Sequence, residues 1–201
     1  MDSTKDKIIT TGLTFFMEKG YEETALSDIA KDIGITKPAL YYHFDSKDKL
    51  FEEVMIYFSS QIEVMFSGLI SEAKNLEQGL SIFFSHLDNY LKQFSIMFQI
   101  NVENIMLNFY FLIYDAVKRV PEFQQRIAKL YSNLSDEIEK IIKNEQEKGT
   151  VHTDIDAKTT AFNLVALTEG LLLMYIVNPE LNLQEIGEKT YQNWLVMLKN
   201  R

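Results

Sequence analysis

The stretch "ITKPALYYHFDSKDKL", residues 35–50, decides how the chain is read. Thr36 is a helix N-cap by type, and Lys37 and Pro38 then fall in the first turn, where proline forfeits no needed hydrogen bond. Ile35 and Leu40 occupy the two positions of a hydrophobic staple. With Leu40 set at zero on a helical wheel, Phe44 lies beside it, toward a core. Pro38 and Tyr42 lie opposite, flanked by Ala39, Tyr41 and His43. The reading therefore predicts a short helix that ends near Phe44 and holds two tyrosines off its buried side. Ser46 is the expected cap of the next helix, with Leu50, Val54, Phe58, Ile62 and Met65 along its inner face.

Working outward, the preceding residues predict two more helices. The first spans about Thr4 to Lys19, with Ile9, Leu13, Phe16 and Met17 on one face and Gly20 as its stop. The second starts after Thr24 as N-cap, carries Leu26, Ile29, Ala30 and Ile33 at helical spacing, and ends at Gly34. The second and third helices are joined only by Gly34-Ile35-Thr36, which is the spacing of a helix-turn-helix. In such a unit the second helix enters the DNA major groove, N-terminal residues first. A tyrosine offers a hydroxyl to phosphate and ring area to a thymine methyl. Pro38 and Ala39 are small enough to permit close approach, and Lys37, Lys47 and the helix N-termini supply positive potential.

The segment "GYEETALSDIAKDIGITKPALYYHFDSKDKLFEEV", residues 20–54, resembles the N-terminal DNA-binding segment of TetR-type transcriptional regulators. The match rests on a glycine and aromatic after the first helix, Thr24, "DIAKDIGI", Thr36-Lys37, "LYYHF" and "SKDKL". The resemblance implies that Lys37, Pro38, Ala39 and Tyr42 meet bases or the nearby backbone, and that Thr24, Thr36, Tyr41, His43 and Lys47 reach phosphates. Ala25 departs from the family's frequent second threonine, which puts one phosphate contact in question.

Composition sets the limits of this reading. The chain has 201 residues, 46% of them hydrophobic, enough for a packed core. It has no cysteine, which fits a reducing cytoplasm. "MDSTKDK" lacks the apolar run of a secretory signal, and the densest apolar run, "GLLLMYIV" at 170–177, is too short to span a bilayer, so a cytoplasmic protein is expected. The net charge is −9, of which residues 1–50 carry −2 and residues 51–201 carry −7. Binding to a polyanion must therefore use a local patch. His43, His86 and His152 have no second histidine at ligand spacing, and no nucleophile motif or phosphate loop is present. Neither an enzyme nor a metal or other cofactor is expected.

The remainder reads as helix throughout. Residues 76–94 predict one helix, 96–120 one or two more, and Pro121 opens another that runs to Gly149. Residues 156–177 are apolar on nearly all sides and are expected to be buried, and Asn182 with Glu185 caps a last helix. The expected fold is all-α: a three-helix DNA-binding domain over 1–48 and a larger helical effector-binding and dimerisation domain over 49–201. Phe98, Met106 and Tyr110 are the candidate effector wall, in a region from 83 to 114 rich in Phe, Tyr and Met whose one lysine or arginine is Lys92. A mostly apolar, neutral or cationic small molecule suits it. Two-fold operators require two-fold proteins, and the family commonly pairs its last two helices. Leu171, Tyr191, Trp194 and Leu198 are accordingly the candidate homodimer interface. The resulting reading is a dimeric repressor released from operator DNA by a small effector. The alternative is a helical scaffold module that turns Tyr41 and Tyr42 toward a protein partner.

Overall fold

The computed structural model describes residues 3–66, 73–84, 87–98 and 102–199. Ten helices occupy them: α1 (Thr4–Glu23), α2 (Leu26–Asp32), α3 (Lys37–His43), α4 (Lys47–Phe66), α5 (Leu76–Phe84), α6 (Leu87–Phe98), α7 (Val102–Arg119), α8 (Pro121–Glu147), α9 (Ala157–Val177) and α10 (Leu183–Leu198). Among the described residues the nearest thing to a sheet is one isolated bridge between Val151 and Lys199. The helix expected over 76–94 corresponds to α5 and part of α6, with residues 85 and 86 outside the described set.

The helices fall into two compact units. The first combines residues up to 64 with residues 95–127. Its core contains Ile8, Phe16, Met17, Ile29, Leu40, Phe44, Leu50, Phe51, Val54 and Phe58, together with Leu112, Ala116 and Phe123. Ile8, rather than the expected Ile9, turns fully inward on α1. Gly12 lets α1 and α4 approach, since a Cβ there would meet the Val54 side chain at 3.2 Å. The Phe58 ring packs 5.0 Å from that of Phe98 and 5.9 Å from that of Phe109, and α7 lies along α1.

Thr24 does not cap α2. Gly20, at φ 76°, breaks the regular course of α1. The Thr24 hydroxyl donates back to the carbonyls of Gly20 (2.7 Å) and Phe15 (3.1 Å), which leaves Ala25 as an N-cap without a side-chain bond. The carbonyls freed by that break draw the hydroxyl backward rather than forward.

The second unit combines residues 65–94 and 128–201. Leu80, Phe83, Phe84, Leu134, Ile138, Ile142, Ala161, Leu164, Leu195 and Leu198 form its core, with α10 packed on α5. Asp156 caps α9 by accepting from the Thr159 amide at 2.7 Å, and Asn182 caps α10 by accepting from that of Glu185 at 3.1 Å. At the end of α8, Glu145 accepts from the Lys148 ammonium and the Thr150 hydroxyl, which hold its carboxyl below the usual range. The expectation that residues 156–177 are buried all round is corrected. Ala157, Thr160, Ala161, Leu164 and Val165 turn inward, while Phe162, Leu173, Met174 and Val177 face solvent. By length and composition the 21-residue α9, unlike the eight-residue run, suffices to cross a bilayer, its most apolar 18-residue stretch having a mean hydropathy of 1.7. Its inner face instead packs into the helical core of the second unit.

Candidate nucleic-acid interface

The site is built on the turn between α2 and α3. Gly34 stands at φ 73°, where a side chain is strained, and its placement lets the Ile35 amide reach back to the Ala30 carbonyl at 2.9 Å. The chain then leaves α2 in the direction that α3 needs. Thr36 caps α3, its hydroxyl oxygen accepting from the Ala39 amide at 3.3 Å, and Pro38 sits in the first turn. Leu40 and Phe44 are the helix's inner anchors.

Those anchors fix what the helix presents. Tyr42 is 86% exposed and Tyr41 41% exposed. Thr36, Lys37 and Pro38 are exposed with them, and Ala39 and His43 are half-buried at the edges. The Lys37 ammonium lies 5.8 Å from the centre of the Tyr41 ring, and the His43 ring stands edge-on to Tyr42 at 5.3 Å. The result is a short helix whose exposed face offers two phenol hydroxyls, a proline and a lysine beside its positive end.

Lys47 opens α4, whose cap is Ser46, accepting from the Lys49 amide at 3.1 Å. The Lys47 ammonium donates to the Glu22 carbonyl at 2.9 Å and lies 4.4 Å from the centre of the Tyr21 ring. Thr24 stands apart from the other candidates: it is buried, and its hydroxyl is engaged with main-chain carbonyls. The structure also sets an unforeseen residue beside the site. Arg119, at the end of α7, stacks 4.0 Å from the centre of the Tyr21 ring and pairs with Glu22 at 2.6 Å. Glu22 and Arg119 are 97 positions apart, so no local pattern links them.

The other candidates fall as follows. Phe98 is buried against Phe58, and Tyr110 is half-buried beside Phe109. The side chains of Met106, Glu103 and Asn104 lie outside the described residues, as do His86 and Asn101. In the second unit, Leu76, Leu80, Phe83, Ile138 and Leu164 help line a gap of about 10 Å³, about the room of one water. Tyr191 and Leu198 belong to the core of the second unit, and Leu171 and Trp194 pack partly against it. The exposed apolar side chains of the last two helices are instead Phe162, Leu173, Met174 and Val177 on α9 and Val196 and Met197 on α10. Glu169, set within the α9 run, has its carboxyl pushed up by burial, against which a hydrogen bond with Tyr131 acts. Among the described residues no cluster of three or more His, Asp or Glu is placed to hold a metal ion.

Fold and site together define an all-helical protein with an N-terminal helix-turn-helix unit. Two family models agree with it: "Bacterial regulatory proteins, tetR family" matches residues 8–54, and "Tetracyclin repressor-like, C-terminal domain" matches residues 109–179. The chain belongs to the TetR family of bacterial regulatory proteins. It is 57% identical over 49 residues to the biofilm operon icaADBC negative transcriptional regulator IcaR of Staphylococcus aureus, a match that covers 24% of this chain and 26% of that one. To IcaR of Staphylococcus epidermidis it is 30% identical over 139 residues, covering 67% of this chain and 66% of the relative. A TetR transcriptional regulator from Chloroflexus aurantiacus has the same fold, with a TM-score of 0.74 at 18% identity over 98% of this chain and 97% of that one. Escherichia coli NemR in its reduced form also shares it, with a TM-score of 0.67 at 16% identity over 98% of each chain.

Proposed function

We propose that the protein is a sequence-specific DNA-binding transcriptional repressor that acts in the cytoplasm as a homodimer and leaves its operator when a small molecule binds. The observation that carries this reading is the exposed α3 face. Two aromatic rings, one of them 86% exposed, stand off the buried side of the helix, and the capped N-terminus and Lys37 make their surroundings attractive to phosphate. Lys37, Pro38, Ala39 and Tyr42 take the base-facing role. Thr36, Tyr41, His43 and Lys47 take the backbone role. Thr24 contributes by shaping the end of α1. The repressing sense is supported by the similarity of parts of this chain to the negative transcriptional regulators IcaR.

The exposed apolar run of α9 suits a second copy of the chain, which brings two α3 helices to successive major grooves. The division into a DNA-binding domain over 1–48 and an effector and dimerisation domain over 49–201 belongs to the same reading, with α4 as the lever between the two roles. The effector is mostly apolar, neutral or cationic, because residues 83–114 are rich in Phe, Tyr and Met and hold Lys92 as their one lysine or arginine. It acts by favouring a state whose recognition helices are wrongly spaced for the operator.

The test is protection of the DNA upstream of the protein's own gene. Footprinting is expected to show a two-fold site protected at nanomolar protein and released by apolar or cationic compounds. Equal affinity for that DNA and a scrambled duplex overturns the sequence-specific reading. Release by polyanionic metabolites alone overturns the effector assignment.

A further inference from the structure

The turn that follows Gly20 is held from three directions. Tyr21 is 7% exposed, and its hydroxyl donates to Asp48 in the first turn of α4 at 2.5 Å. Burial and the Asp48 carboxylate push its pKa up to about 12, so the hydroxyl keeps its proton at neutral pH. Over the same ring lie the Lys47 ammonium at 4.4 Å and the Arg119 guanidinium at 4.0 Å. Glu22 completes the set, its carboxylate paired with Arg119 and its carbonyl accepting from Lys47. Asn108, earlier on α7, donates to the Glu18 carbonyl at 2.8 Å, so α7 grips the end of α1 at two points. All of these residues belong to the first unit.

We infer that Arg119 is a positioning residue for DNA binding, fixing the Tyr21-Glu22 turn and through it the ammonium of Lys47. This rests on the DNA-binding reading above. The physics is preorganisation. A lysine that must be ordered by phosphate loses rotamer freedom on binding, and one already held loses less. An ammonium has three donors, so the bond to the Glu22 carbonyl leaves two for a phosphate. Arg119 suits the task because its planar guanidinium stacks on a ring and pairs with a carboxylate at once, which a lysine cannot reproduce.

A double-mutant cycle on operator affinity tests this, using full-length protein and the promoter duplex. Lys47→Ala and Arg119→Ala are each expected to weaken binding about tenfold, and the double variant also about tenfold rather than about a hundredfold, because Arg119 acts through Lys47. Arg119→Lys keeps the charge but not the plane, and is expected to fall between wild type and Arg119→Ala. Melting temperature and sedimentation are expected to stay at wild-type values. Losses that multiply in the double variant, or wild-type affinity in Arg119→Ala, overturn the inference. Should Arg119→Ala melt early, the cycle is run with Arg119→Lys, whose smaller loss must likewise vanish in the Lys47→Ala background. Failure of the wild-type protein to bind the duplex would instead strike the DNA-binding reading itself.

Discussion

Among the helices that present large apolar side chains to solvent, α3 and α9 differ in their electrical surroundings. On α3 the exposed Tyr41 and Tyr42 follow a capped N-terminus, with Lys37 over the Tyr41 ring. On α9 the exposed Phe162, Leu173, Met174 and Val177 occupy a run whose one charged residue from 162 to 177 is Glu169. An aromatic face under positive potential suits a polyanion with flat, stacked bases. An apolar face nearly free of charge suits another apolar face. Exposure alone therefore does not name a partner, whereas exposure together with the field around it separates the two cases.

Changes on the two faces should fail differently. Tyr42→Ala is expected to cost about 2–6 kcal/mol of operator affinity across two half-sites, with the dimer intact. Unchanged affinity in a gel shift removes α3 from the DNA. Leu173→Glu places an unpaired charge on the α9 face and is expected to cost about 2–5 kcal/mol of self-association. Sedimentation should then show monomers with wild-type helix content by circular dichroism, and an unaltered dimer would take α9 out of the interface. Lys47→Ala is expected to weaken all DNA sequences alike and to lower the slope of log affinity against log salt by about 0.9 per lost phosphate contact. A loss confined to one base pair contradicts its backbone role. Thr36→Ala removes the α3 cap and is expected to cost about 0.5–2 kcal/mol of stability in urea melts. A melt like that of wild type would mean that the cap adds nothing to the helix.

What was legible in the sequence follows the range of the forces involved. The α2–α3 unit could be read because its determinants are neighbours: Gly34 at a positive φ, Thr36 as cap, Pro38 in the first turn, Leu40 and Phe44 four apart. Thr24 misled because its hydroxyl had two sets of main-chain partners, and the break at Gly20 made the backward set available. The pattern of α9 shows how apolar it is but not which of its side chains turn inward, because it is apolar on nearly all sides. Tyr191 and Leu198 enter as interface candidates through the family's pairing of its last two helices, and the structure sets both in the core of the second unit. Arg119 lay beyond reach altogether, because its place beside Tyr21 depends on how α7 packs along α1.

The central claim is that the charged, aromatic face of α3 binds duplex DNA, and salt dependence tests it most directly. Fluorescence anisotropy of the promoter duplex, repeated from about 50 to 200 mM salt, is expected to show affinity falling by about 10³–10⁵ if the dimer makes about six to ten phosphate contacts. Tyr42→Ala is expected to keep nearly the same slope at lower affinity. A slope near zero, or binding that Tyr42→Ala leaves untouched, would contradict the claim and favour a protein partner for the two tyrosines.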